Sequence, residues 1–225
     1  MNKKIYFHSL FLILVLVTNH FLHFDFYVQN WFYHHLDKKW IIDAEEPIMK
    51  MIFYKGIKWS IIVFGGALVL IFLFNLIKKK NFKSVEQLDR LQVILSLALV
   101  PAFISFLKSS THMHCPEELS HFNGSYPYIL LFQSHPTDLP FGKCFPAGHA
   151  SGGFSLLVFG FTQKKFKFGI WVGLLFGWIM GLYQMMKGDH FLTHTLVTQS
   201  IAFIFNHCFY LLRQKYFSEE IVPQV

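Results

Sequence analysis

Charge is what this sequence has least of. Only 15% of its 225 residues are Asp, Glu, Lys or Arg, against about a quarter in an ordinary soluble domain. With 53% hydrophobic residues and a mean hydropathy of +0.40, that shortage excludes a water-soluble globular chain. Cysteine is scarce too. The three cysteines form no CxxC pair and no zinc-binding spacing, which excludes a zinc ribbon or finger. No small-residue cleavage site follows the apolar run Ile5 to Val17, where Thr18-Asn19-His20-Phe21 stands instead, so the run reads as an uncleaved first span. There is no internal repeat and no low-complexity tract. The net charge of +7 does not imply nucleic acid, because the basic residues sit in short clusters beside apolar runs.

What is present is apolar length. Six segments approach the roughly 20 apolar residues a bilayer needs: Ile5 to Leu22, Trp59 to Ile77, Leu91 to Leu107, a short Gly-rich stretch from His149 to Thr162, Phe168 to Met186, and Phe191 to Leu212. The sequence therefore predicts an all-α integral membrane bundle of six helices in one domain, 1–225. Residues 1–57 hold the first span and an outer segment, 58–215 form the core, and 216–225 a short tail.

Charge bias orients the bundle. With both termini in the cytoplasm, that side carries Lys3, Lys4, Lys78, Lys79, Lys80, Lys83, Arg90, Lys164, Lys165, Lys167, Arg213 and Lys215, more than half of the 20 basic residues. Of the 13 acids it carries only Glu86, Asp89, Glu219 and Glu220. The stretch His23 to Lys58 mixes Trp31, Trp40, Tyr54 and Trp59 with Asp37, Lys38, Glu45 and Glu46. That composition fits a segment lying on the outer membrane interface, with Pro47 suited to a helix start.

Under this topology three separated pieces meet at the outer face. Lys108 ends the third span. Lys143, Cys144, Phe145, Pro146, Ala147, Gly148 and His149 open the fourth. Lys187, Gly188, Asp189, His190 and His194 lie where the fifth turns into the sixth. A helix start offers unpaired N–H groups and the positive end of a dipole to an anion. A histidine beside it can move a proton near neutral pH. Ionisable groups are costly near lipid, so their convergence points to phosphate chemistry.

At these residues the chain resembles the PAP2 (type 2 phosphatidic acid phosphatase) superfamily of membrane lipid phosphatases, over roughly residues 58–215. The family motifs are K-x6-R-P, P-S-G-H and S-R-x5-H-x3-D. Here they read Lys108 with Cys115-Pro116, then Pro146-Ala147-Gly148-His149, then Tyr183-Gln184 with His190 and His194. The chain is especially similar to a bacterial branch carrying C-F-P-A-G-H-A-S-G-G and G-x-H-F-L-S-H. The resemblance implies that His190 attacks phosphorus, that His149 protonates the leaving oxygen, and that Lys108 and the Gly148 backbone hold phosphate oxygens. It implies no metal and no other cofactor. It implies a phosphorylated lipid as substrate, membrane lipids as surroundings, and an active site on the periplasmic side of a bacterial inner membrane.

The departures concern phosphate binding and orientation. Cys115 and Gln184 replace the motif arginines, leaving Lys187 and Lys143 as available cations, each a point charge without the guanidinium fork. His194 replaces the carboxylate that orients the nucleophile, with Asp189 and Glu118 as other candidates for that role. In a periplasmic loop, Cys115 and Cys144 would form a disulfide joining the first two motifs. Other classes stay open. His190 and His194 have the HxxxH spacing of a zinc site, but Phe191 stands where a zinc protease needs Glu. A lipid phosphotransferase would share the first half-reaction, and a binder or transporter of lipid phosphates would share the scaffold.

Overall fold

A computed structural model gives the architecture and describes residues 3–44, 46–78, 81–162 and 168–217. In chain order it contains α1 (Lys3–Leu22), α2 (Phe24–Gln29), a small antiparallel hairpin of β1 (Tyr33–His34) and β2 (Lys39–Trp40), and α3 (Pro47–Lys50). Then come α4 (Ile57–Ile77), α5 (Val85–Ser110), α6 (Gly148–Ser155), α7 (Gly169–Met186) and α8 (Leu192–Phe217). A π-helical segment, Met51–Gly56, joins α3 to α4, so helix runs on from Pro47 to Ile77. Among the described residues, five helical stretches are long and apolar enough to cross a bilayer: α1, Pro47–Ile77, α5, α7 and α8. The chain is an all-α, multi-pass membrane bundle.

Two elements differ from the sequence expectation. The second span starts at Pro47 rather than Trp59, because Glu46 caps it. Its carboxylate accepts the Met49 N–H, and Pro47 fills the first helical position, where a missing N–H costs nothing. Part of the expected interfacial segment is therefore the first part of a helix long and apolar enough to cross a membrane. The fourth expected span is the short α6 continued by a 3₁₀ turn, Leu156–Gly160. Together they run roughly 20 Å, less than the ~30 Å of a hydrocarbon core. The expected end of that span at Lys164 and Lys165 lies outside the described residues. So do Lys79, Lys80, Lys167, Glu45, Glu219, Glu220 and the tail from 218 onward.

The short α6 sits inside the bundle, packed against α5, α7 and α8, with α1 lying along α8 and α4 along α5. Ala150, Phe154 and Leu157 bury themselves with Val100 of α5 and Ala202 and Phe203 of α8. Glycine makes this possible, as close backbone approach in lipid relies on small residues. A Cβ on Gly153 would overlap the Gly177 backbone, and one on Gly173 would overlap the backbone of Leu157. Polar groups between the helices bond to one another, as a water-free interior requires. Ser96 Oγ donates to the Ser155 carbonyl (2.8 Å) and Gln92 Nε2 to that of Phe161 (3.2 Å). At one end of the bundle Arg213 pairs with Asp89 and donates to the Val85 carbonyl, tying α8 to α5.

The α6–α7 contact generates a test. Gly153→Ala should lower stability by about 1–3 kcal/mol or more, because backbone rather than a flexible side chain stands in the way. Gly66→Ala, at a position with nothing within 4 Å, should leave the thermal midpoint in detergent unchanged.

Candidate active site

The third-motif residues lie in a turn, and the turn decides their geometry. α7 ends at Met186 and α8 begins at Leu192, so His190 precedes the helix that carries His194. The one-turn relation expected of two residues on a single helix does not apply. Their ring centroids are 5.7 Å apart, and no hydrogen bond joins them among the described residues. His190 instead meets His149 from the start of α6, its Nε2 lying 3.4 Å from His149 Nδ1. The other nitrogen, Nδ1, lies 3.4 Å from Cys144 Sγ.

Cys144 and Cys115 are joined by a disulfide with Cα atoms 5.1 Å apart. A disulfide sulfur carries no proton and can only accept, so this contact is a hydrogen bond in the tautomer that has the His190 proton on Nδ1 and the lone pair on Nε2. The same sulfur lies 2.7 Å from the Asp189 carbonyl oxygen, a close contact with no proton between them. Cys115, Cys144 and His190 have ligand atoms within 4.8 Å of one another. Bonded to each other, however, the sulfurs offer no thiolate to a metal ion.

The two other candidates for orienting His190 are engaged elsewhere. Asp189 pairs with Lys187 at 2.7 Å. Glu118 accepts the Cys115 N–H at 2.7 Å and faces His114 at 3.4 Å. His194 is fully buried and faces the Cys144 carbonyl, but neither ring nitrogen makes a hydrogen bond of regular geometry. Lys108, in the last turn of α5, reaches the start of α6: a Cβ on Gly148 would stand 4.0 Å from its Nζ. Lys143 is exposed, with no ion pair to the cluster among the described residues. Lys187 and Lys108 are thus drawn into the site and Lys143 is not.

Burial sets the charge states outside the spans. His190 is 1% exposed. Its imidazole is held well below the usual histidine range by burial first, then by His194, His149, Lys108 and Lys187. It is a neutral imidazole at pH 7. Burial raises the Asp189 carboxyl, and the Lys187 hydrogen bond opposes that rise. A cavity of about 260 Å³ opens beside His149, lined by Tyr54, Lys58, Ile61, Pro101, Gly148 and Met180. The Tyr54 ring meets His149 edge-on at 4.8 Å.

These observations decide the family. The pattern of the PAP2 superfamily matches residues 89–218. The chain belongs to it. Members of the superfamily are in general phosphatases, and this PAP2 chain presents its second- and third-motif histidines face to face. No curated protein and no solved structure matches closely enough to add a relative. The match starts after α4, so the first three helices, the hairpin and α4 lie beyond it.

That outer part contributes residues that motif reading passed over. Gln29 is fully buried and donates to the Met185 carbonyl at 2.7 Å. Trp40 covers Gly188, whose φ of 87° and lack of a Cβ the indole requires. Asp25 accepts the Thr193 N–H (2.9 Å), the Thr193 hydroxyl and the Asn19 amide (2.9 Å). A sequence signal existed for Asp25, since an acid in an apolar run beside a membrane helix is costly unless partnered. Its partner could not be read from spacing.

Two measurements follow. Reduction of Cys115–Cys144, which closes a loop with a sequence separation of 29, should lower stability by about 3–4 kcal/mol in the chain-entropy picture. Thiol alkylation with and without reductant, followed by a thermal melt, checks both the linkage and its effect. The second concerns pH. Burial raises Asp25 from 3.8 to about 7, and the Thr193 and Asn19 hydrogen bonds oppose the rise. A raised folded value favours the proton in the native state, so this contribution is full below pH ~4 and is lost as pH climbs to ~7. Over that window it amounts to about 4 kcal/mol. The melting temperature of wild type relative to Asp25→Asn should therefore fall as pH rises from 4 to 7.5.

Proposed function

We propose that the protein is a metal-independent lipid phosphate phosphatase acting through a phosphohistidine at His190. The observation that carries this reading is the approach of a buried, neutral His190 to His149, Nε2 to Nδ1 at 3.4 Å. A phosphoryl group entering between the rings replaces that long contact. Nε2 of His190 attacks phosphorus and the bond to the lipid oxygen breaks. The phosphate charge favours an imidazolium at His149, from which the proton passes to the leaving oxygen, and the lipid departs as an alcohol. Water then attacks the phosphohistidine, His149 takes its proton, the N–P bond breaks and inorganic phosphate leaves. Lys108, Lys187 and the amides at the start of α6 stabilise the charge on the transferring group.

The Cys144 sulfur takes the place of the usual carboxylate at Nδ1. As a weak acceptor it fixes the tautomer without adding negative charge, so slower chemistry than from a carboxylate-supported histidine is expected. The cavity beside His149 has apolar walls and a cationic end, which suits a phosphorylated lipid reaching the site from the bilayer. The basic clusters at the opposite ends of the helices support a site on the periplasmic face of a bacterial inner membrane, with both termini cytoplasmic.

Purified protein in detergent with EDTA should release phosphate from at least one member of a panel of phosphatidate-like, polyprenyl diphosphate and lipid A phosphates. His190→Ala should fall to background, and His149→Ala should lose about 10²–10⁴-fold, the usual contribution of a proton-transfer group. Equal silence from all three folded proteins would sink the phosphatase reading.

A further inference from the structure

We infer that Asp25, on the segment between the first two membrane helices, is a positioning residue for His190. The kinetic part of this inference rests on the phosphatase reading above. The argument starts from α8, whose first amides need acceptors as any helix start does. The residue before the helix is Phe191, which offers none, and its ring is buried among Tyr33, Leu119 and Phe122. The acceptor comes from another element. Asp25 takes the N–H of Thr193, the second residue of α8, and also its hydroxyl. The carboxylate is itself held by Asn19, whose amide donates at 2.9 Å and whose carbonyl accepts the Asp25 N–H at 3.1 Å.

A carboxylate 1% exposed would be a poor choice for packing alone, since an apolar residue of similar size carries no desolvation penalty. What it adds is direction. His190 sits two residues before Leu192, so the angle at which the chain enters α8 sets where Nε2 points. Gln29, one helical turn beyond Asp25 on α2, holds the Met185 carbonyl on the other side of the turn. The Ile42 N–H donates to the Met186 carbonyl at 3.2 Å. One short helix and the loop after it therefore grip both ends of the turn that carries the nucleophile. These gripping residues lie outside the 89–218 stretch shared with the superfamily. An ångström of misplacement at a reacting atom costs about 10²-fold in rate, and this grip limits such drift.

The test uses the full chain in detergent at pH 8, above the value of about 7 at which the Asp25 carboxyl ionises: wild type, Asp25→Asn, Thr193→Val and the double variant. Steady-state kinetics are measured on a lipid phosphate that wild type hydrolyses, beside a thermal melt of each protein. Each single variant should lower kcat about 10- to 100-fold with KM within about twofold. The double should fall no further than the worse single, because both changes break one interaction. Unchanged kcat in Asp25→Asn, losses that multiply in the double, or a loss matching the unfolded fraction would overturn the inference. Should Asp25→Asn fail to fold, Thr193→Val, which keeps the N–H bond, carries the same split of kcat against KM.

A second readout needs no activity. Diethyl pyrocarbonate modification of His190, mapped by mass spectrometry, should be about tenfold faster in Asp25→Asn, with exposed His34 unchanged; equal His190 rates would count against the inference. A wild type silent on every lipid would remove the phosphatase reading and leave Asp25 to be judged on this readout.

Discussion

A helix that starts inside a protein must find acceptors for its first amides there, and α8 starts inside this one. Thr193 is buried, the residue before the helix is Phe191, and the need is met by Asp25 from a distant part of the chain. Much of the site depends on that bond. It places the entry to α8, and with it the turn whose other end is held through Gln29 and the Met185 carbonyl. The aromatic cluster of Tyr33, Phe122 and Phe191 fills the space beneath the turn. Removing the polar link would leave that cluster to hold the turn by shape alone, and shape alone specifies direction poorly.

His149 is placed by a different device. It sits in the first turn of α6, and α6 lies deep in the bundle because Gly153 and Gly173 let it pack backbone to backbone with α7. The Ala147 N–H donates to the His194 carbonyl at 3.2 Å, and the Thr198 hydroxyl donates to the Ala147 carbonyl at 3.2 Å. The helix bearing one histidine is thus stitched to the helix that follows the other. A longer, evenly apolar span could not come so close.

Charge and sulfur complete the arrangement. Lys108 is aimed at the start of α6, while Lys187 pairs with Asp189. The disulfide that replaces the motif arginine does two things at once. It joins the first motif to the second, and it sets a proton-accepting but uncharged atom beside His190 Nδ1. The cluster therefore gathers several cations and neutral imidazoles with few free carboxylates. Such an environment is consistent with the phosphate chemistry proposed for the site.

Much of this was legible in the residues. Charge scarcity and apolar length determined a membrane bundle, because nothing else buries so much hydrocarbon. The motifs around Lys108, His149 and His190 carried the resemblance to the family, which the match over residues 89–218 shows. Helix propensity could not show that the second span begins at Pro47, since the deciding event is a carboxylate cap at Glu46. Nor could a periodic pattern show that the His190 ring lies apart from His194 and against Cys144. Asp25 went unread in the sequence, because its burial and its partner 168 residues away are both products of the fold. The sequence by itself determined what kind of chain this is and which family it belongs to. Only the tertiary structure decided which atoms face each other, because those distances are set by contacts between segments that no local pattern encodes.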